Sequence, residues 1–169
     1  MEVKINKLTP DGFLLSEISR LSNQGISIAV DFDSTLCLTD GYPHIVGQNG
    51  KCFDILHEWQ KLGCKILLYT MRHGEDLDNA VAWCRECGFE FDGINCNPEN
   101  DARDPECDKL YAVFYIDDKA FGIPLLRDTD GNLRDHVDWE EIDRIFTPLI
   151  HEIKNKLVNN KWLEKDLYL

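Results

Sequence analysis

The chain has 169 residues, 43% hydrophobic and 29% charged, close to one ordinary globular domain of roughly 150 residues. Collagen-like, disordered and membrane-spanning classes do not fit that composition. Acidic residues number 31 against 18 basic ones, a net charge of −13, which repels phosphodiester backbones and excludes nucleic-acid binding by charge alone.

Residues 1–24 read as an N-terminal appendage with one short amphipathic helix carrying Leu14, Leu15, Ile18 and Leu21. This stretch has no continuous apolar core of the kind a secretory leader needs and no run near the ~20 residues of a membrane span. A cytoplasmic protein is expected. Residues 25–169 read as a single α/β domain ending in a C-terminal helix. The seven cysteines, Cys37, Cys52, Cys64, Cys84, Cys87, Cys96 and Cys107, are an odd set without a leader and read as reduced thiols. Cys84 and Cys87 match a CxxC spacing, but they share a helical face with Leu77, Ala80 and Val81, and no second CxxC completes a zinc site.

From Ile26 onward, short apolar runs alternate with helical patterns. Ile26–Val30, Lys65–Thr70 and Ala112–Ile116 suit strands buried on both faces, and Phe91–Asn95 is a weaker fourth. Between the first two, Cys52, Ile55, Leu56, Trp59 and Leu62 keep a helical spacing stopped by Gly63; the Leu77 to Cys87 face is stopped by Gly88. The order is βαβαβ, which predicts a three-layer, Rossmann-like parallel sheet with helices on both faces. Gly122–Leu126 is expected as an added edge strand, with a turn at Asp130-Gly131. A last helix starts at Asp138, whose carboxylate caps it while Glu141 completes a capping box. Its apolar face is Ile142, Ile145, Phe146, Leu149, Ile150, Ile153 and Leu157, with a kink expected at Pro148.

Ligands of open parallel sheets bind beyond the carboxyl ends of the strands. There the first strand ends in Asp31-Phe32-Asp33-Ser34-Thr35, the second in Thr70-Met71-Arg72 and the third in Asp117-Asp118. Either acidic pair alone reads as solvated loop acids or helix caps. If the strands are neighbours, four carboxylates converge, and unit charges ~4 Å apart repel by about 4 kcal/mol near a protein surface. A proton or a hard divalent ion relieves that repulsion, and an all-oxygen ligand set suits Mg²⁺ better than zinc.

In this order the motifs resemble those of the haloacid dehalogenase (HAD) superfamily of phosphohydrolases. Asp31-Phe32-Asp33-Ser34-Thr35 is similar to its DxDxT motif, with Ser34 where glycine is common. Thr70 resembles its hydroxyl residue, Lys109 its basic residue and Asp117-Asp118 its acidic pair; Lys119 and Arg103 lie near Lys109. The resemblance spans about Ile26 to Pro124.

It implies a Mg²⁺-dependent phosphatase in which Asp31 attacks phosphorus to form an aspartyl-phosphate, while Asp33 protonates the leaving oxygen and later activates water. That first role needs a raised Asp33 pKa, which neighbouring carboxylates are expected to supply. Ser34, Thr35, Thr70, Met71, Arg72 and Lys109 would contact the phosphate. The ion would be held by Asp31, the Asp33 carbonyl, Asp117 and Asp118, with Asp118 in direct contact and Asp117 acting through water. With Asp33 protonated, Asp31, Asp117 and Asp118 would balance Mg²⁺ and Lys109. His44 and His73 read as surface residues.

The segments Leu36–Lys51 and Cys96–Asp108 leave no room for a large cap, and only a small flap with Tyr42-Pro43-His44 is expected. That resembles the capless subgroup, whose open sites serve large substrates or borrow walls from a second copy, so a homo-oligomer is compatible. Acids at 99, 101, 104, 106 and 108 disfavour a nucleic acid on that side. The partner is expected to be a phosphorylated small molecule or a phosphoprotein. A receiver-like phosphoacceptor module is the alternative, although it has no use for a second acid at Asp33.

Overall fold

A computed structural model describes residues 25–98 and 110–158, with side chains to 155. The N-terminal appendage, Arg103, Cys107, Lys109, the acids between 99 and 108, and Leu157 as a packing residue lie outside the described residues.

Strand β1 (Ser27–Val30) is followed by a hairpin of β2 (Cys37–Leu38) and β3 (Gly47–Gln48). Helix α1 (Cys52–Lys61), β4 (Lys65–Leu68), α2 (Gly74–Glu86), β5 (Gly93–Ile94) and β6 (Phe114–Ile116) come next. A ribbon of β7 (Leu125–Leu126) and β8 (His136–Val137) precedes α3 (Trp139–Val158). The central sheet is parallel, in the order β5-β4-β1-β6, with Val30 opposite both Leu68 and Ile116. It is an α/β fold of Rossmann-like type. No helix of the described residues is long and apolar enough to cross a membrane.

β1 is apolar throughout apart from Ser27 because it is covered on both faces and flanked on both edges. Side chains alternate across a strand, so Ile28, Val30, Ile66, Leu68 and Ile116 enter one cluster and Ala29 and Leu67 another. The first cluster takes in buried residues of all three helices, among them Trp59, Cys84 and Ile153. The second is completed by Leu110 and Ala112. Among the described residues, the three helices lie on one face of the sheet.

Other details also depart from expectation. Leu125 and Leu126 pair antiparallel with Val137 and His136 in a separate ribbon rather than extending the main sheet. Asp138 Oδ1 caps α3 by accepting from the Glu140 and Glu141 amides, both at 3.1 Å. The Glu141 carboxylate does not close the capping box; it takes two hydrogen bonds from Arg144, a charged donor one turn away that outcompetes a neutral amide. Helix α3 runs on through Pro148, with Ile145 exposed and Ile142, Ile150 and Ile153 buried.

Candidate active site at the ends of three strands

The strand register brings the acids together. Val30 pairs with Ile116, so Asp31 and Asp117 leave adjacent strands at one level, and the Asp31 amide still donates to the Ile116 carbonyl at 2.9 Å. The chain then turns sharply, because the Phe32 carbonyl accepts from the amides of Leu36 at 2.9 Å and Cys37 at 3.0 Å. The turn sets Ser34 at φ 58°, in the left-handed region that glycine enters most cheaply. A glycine would take this conformation at lower cost.

Carboxylate oxygens of Asp31, Asp117 and Asp118 lie within 4.8 Å of one another. Three carboxylates, with no sulfur or imidazole, form a donor set that fits a hard divalent cation such as Mg²⁺. Burial, partly offset by the Phe32 amide, acts with the charges of Asp117, Asp118 and Asp33 to push the Asp31 carboxyl up to about 8. A proton or a bound cation would relieve the repulsion within this cluster.

Thr35 joins the two halves of this cluster. Its fully buried hydroxyl donates to Asp31 Oδ2 at 3.3 Å and accepts the Asp118 amide at 3.1 Å. The Thr35 carbonyl is held by Asn49 Nδ2 at 2.9 Å and Trp139 Nε1 at 2.7 Å, and Asn49 also donates to the Val137 carbonyl at 2.9 Å. The Val137 amide in turn donates to the Ser34 carbonyl. Sequence reasoning missed Asn49, which precedes Gly50 and reads as a turn residue, and Trp139, whose helical position signals only packing.

Asp33 points to a different partner. Arg72 Nε donates to its Oδ2 at 2.9 Å and Nη2 to its Oδ1 at 2.7 Å, while Nη2 also reaches the Pro43 carbonyl at 3.0 Å. The guanidinium carbon lies 4.7 Å from the Phe32 ring centre and 5.2 Å from that of Tyr42, so both aromatic rings flank it. The Tyr42 hydroxyl donates to Asp76, in the first turn of α2. Burial works against the Arg72 charge, but the hydrogen bonds and charge of Asp33 outweigh it and lift its pKa above the ordinary guanidinium value.

The sequence assigned Arg72 to substrate phosphate and gave Asp33 carboxylate neighbours. The structure instead gives the two to each other, through a contact across 39 residues that no local pattern announces. Asp33 is not one of the three acids within 4.8 Å of one another, although its charge still acts on Asp31.

Thr70 follows β4, with its amide held by Asn95 Oδ1 at 2.8 Å and its hydroxyl accepting the Arg72 amide at 3.2 Å. Asn95 is a further supporting residue the sequence did not reveal. Met71 is almost fully exposed and Ser34 is buried. Lys119 Nζ donates to Asp118 Oδ2. Among the described residues Lys119 is therefore the lysine at the acidic group. With all four acids ionised, Arg72 and Lys119 leave two negative charges uncompensated, the charge of one divalent cation.

No family model matches the chain, and no curated protein matches it. Among solved structures, a conserved protein coded by a locus of Bacteroides thetaiotaomicron is similar in fold and sequence. It is 32% identical with a TM-score of 0.58, and the match covers 73% of this chain and 90% of that one.

Proposed function

Given that this chain belongs to one family with the conserved Bacteroides thetaiotaomicron protein, we propose that its strand-end site is that of a Mg²⁺-dependent phosphatase acting on phosphate monoesters. The observation that supports this most is the placement of Asp31, Asp117 and Asp118 within 4.8 Å of one another on adjacent parallel strands. The ordered resemblance of the same segments to HAD motifs supplies the chemistry.

Asp31 is the nucleophile. One of its carboxylate oxygens attacks phosphorus, and an aspartyl-phosphate forms as the ester oxygen leaves. Thr35 orients Asp31, Thr70 and the amides after Asp33 bind the phosphoryl oxygens, and Asp33 handles the proton of the hydrolytic water. Magnesium would be held by Asp31, Asp117, Asp118 and the Asp33 carbonyl, and when bound it supplies neutralising charge for an incoming phosphate dianion. The substrate class is a phosphorylated small molecule or a phosphoprotein, and the setting is the cytoplasm.

The test is a panel of phosphate monoesters assayed with and without Mg²⁺, beside Asp31→Asn. Turnover that needs Mg²⁺ and is abolished by the substitution is the expected result. No hydrolysis throughout, or activity that survives Asp31→Asn, overturns the assignment. A stable phosphoryl adduct without turnover would make the chain a receiver-like module instead.

A further inference from the structure

Large apolar side chains standing in water are unremarkable singly and informative when they gather in one place. Among the described residues the four most exposed are Phe121, Met71, Val46 and Tyr42, at 109%, 95%, 55% and 53%. All four belong to the three segments that surround the strand-end site. Tyr42 and Val46 lie on the flap between β2 and β3, Met71 follows β4, and Phe121 follows β6.

The backbone fixes two of them beside site residues. The Thr70 hydroxyl accepts the Arg72 amide at 3.2 Å, which closes a tight turn with Met71 at its tip. Beyond β6 the Ala120 amide donates to the Asp117 carbonyl at 2.9 Å and the Lys119 amide to Asp117 Oδ1 at 2.7 Å. The chain thus folds over Asp117, and Phe121 stands three residues from Asp118. Strands β4 and β6 pair with opposite edges of β1, two strand spacings or about 10 Å apart. Met71 and Phe121 therefore flank the end of β1 that carries Asp31, one on each side. A phosphoryl group at Asp31 leaves the rest of its ester to emerge between them. Tyr42 borders a third side, its ring centre 5.2 Å from the Arg72 guanidinium carbon and its hydroxyl on Asp76.

Charge narrows the choice further. The permanent cations of these three segments are Arg72 and Lys119, and each is already engaged by an acid, Asp33 and Asp118. A second anionic group on the substrate would meet acids of its own sign.

We propose that Met71 and Phe121, with Tyr42, form an apolar rim that binds the alcohol part of the substrate, so that the site selects small phosphate monoesters whose alcohol part is apolar and uncharged. The proposal rests on the phosphatase reading and narrows its substrate class. The rim touches the ester away from phosphorus, and apolar surface buried there raises kcat/KM however readily the alcohol leaves.

Full-length protein with Mg²⁺ is assayed on 2-phenylethyl phosphate against glycerol 3-phosphate, and on pentyl phosphate against 4-carboxybutyl phosphate. All four release a primary alcohol, so differences in kcat/KM report contacts at the rim. The phenylethyl ester should exceed the glycerol ester by about tenfold, the effect of roughly two methylene groups leaving water. The pentyl ester should exceed its carboxylate analogue by about fivefold, the repulsion of one added charge ~4 Å from an acid in water.

Phe121→Ser and Met71→Ser alter side chains in solvent, where substitutions move stability little. In each, the ratio of phenylethyl to glycerol ester should fall toward one, with the change in KM rather than kcat. A wild-type ratio near one in either pair, or a phenylethyl preference that both substitutions leave intact, overturns this inference and leaves the phosphatase reading standing. A ratio near one together with a dimer in sedimentation that Phe121→Ser dissociates also overturns it and gives the rim to a second copy of the chain. Hydrolysis of none of these esters, nor of p-nitrophenyl phosphate, overturns that reading and the inference with it.

Discussion

The hydroxyl of Thr35 accepts the backbone amide of Asp118, a residue 83 positions further along the chain, while donating to the carboxylate of Asp31. One oxygen thus holds Asp31 and the acidic pair at a set separation. Thr35→Val keeps the shape and removes both bonds, leaving the Asp118 amide without a partner in the interior. An unsatisfied buried amide costs about 1–3 kcal/mol. Urea denaturation should show a loss of that size, and the stabilisation by Mg²⁺ in a thermal melt should shrink, because the three carboxylates are no longer held together.

The raised pKa of Asp31 has a direct consequence for stability. The folded protein holds a proton there that the unfolded chain releases, so its contribution is complete below the ordinary 3.8 and is lost as pH rises through about 8. At about 1.4 kcal/mol per unit the total is of the order of several kcal/mol. In chelator, urea midpoints should therefore fall between pH 4 and pH 8, and the slope should be much smaller in Asp31→Asn. Added Mg²⁺ should restore wild-type stability above pH 8 and do little for the variant. An equally steep slope in both proteins would remove Asp31 as its cause.

Ser34 occupies left-handed backbone at φ 58°, where a side chain costs about 1–2 kcal/mol. Ser34→Gly relieves this strain at the expense of greater freedom in the unfolded chain. A net gain of up to about 1 kcal/mol is expected, corresponding to a rise in Tm of about 2–4 °C for a chain of this size. Calorimetry of the two proteins measures it.

Cys37, Cys52, Cys64 and Cys84 are buried, and burial pushes the first three thiols up to about 12, 12 and 11 and Cys84 higher still. Thiolate is the reactive form. At pH 8 an aromatic disulfide reagent should modify Cys87 and Cys96, which are partly exposed, well before these four. Peptide mapping of the labelled native protein checks the order.

Much of this site was legible because its signals are local. An apolar run followed at once by Asp31, Thr70 or Asp117 marks a buried strand end whatever lies elsewhere in the chain. The strand order and the register that join Asp31 to Asp117 came from the structure, since the apolar runs alone left open whether these strands are neighbours. What escaped was contact between distant segments. The Asp33–Arg72 pair depends on the flap bringing Pro43 and Tyr42 over the guanidinium, and Asn49 reaches Thr35 only because the hairpin of β2 and β3 folds back. Glu141 met the capping-box pattern yet bonded Arg144, since both partners were within reach and the charged one was stronger. Likewise, the edge-strand expectation failed because Leu125 and Leu126 find partners in residues 136–137, beyond the intervening turn.

The Thr35 carbonyl, held by Trp139, and the Ser34 carbonyl, held by the Val137 amide, carry an implication for biosynthesis. The loop bearing Asp31 is among the earlier described segments to leave the ribosome, yet its last fastenings arrive more than a hundred codons later. Until they emerge from the exit tunnel, a nascent chain has its central strands but not a fully fastened loop after β1. The turn at Ser34 and Thr35 is therefore completed late in translation.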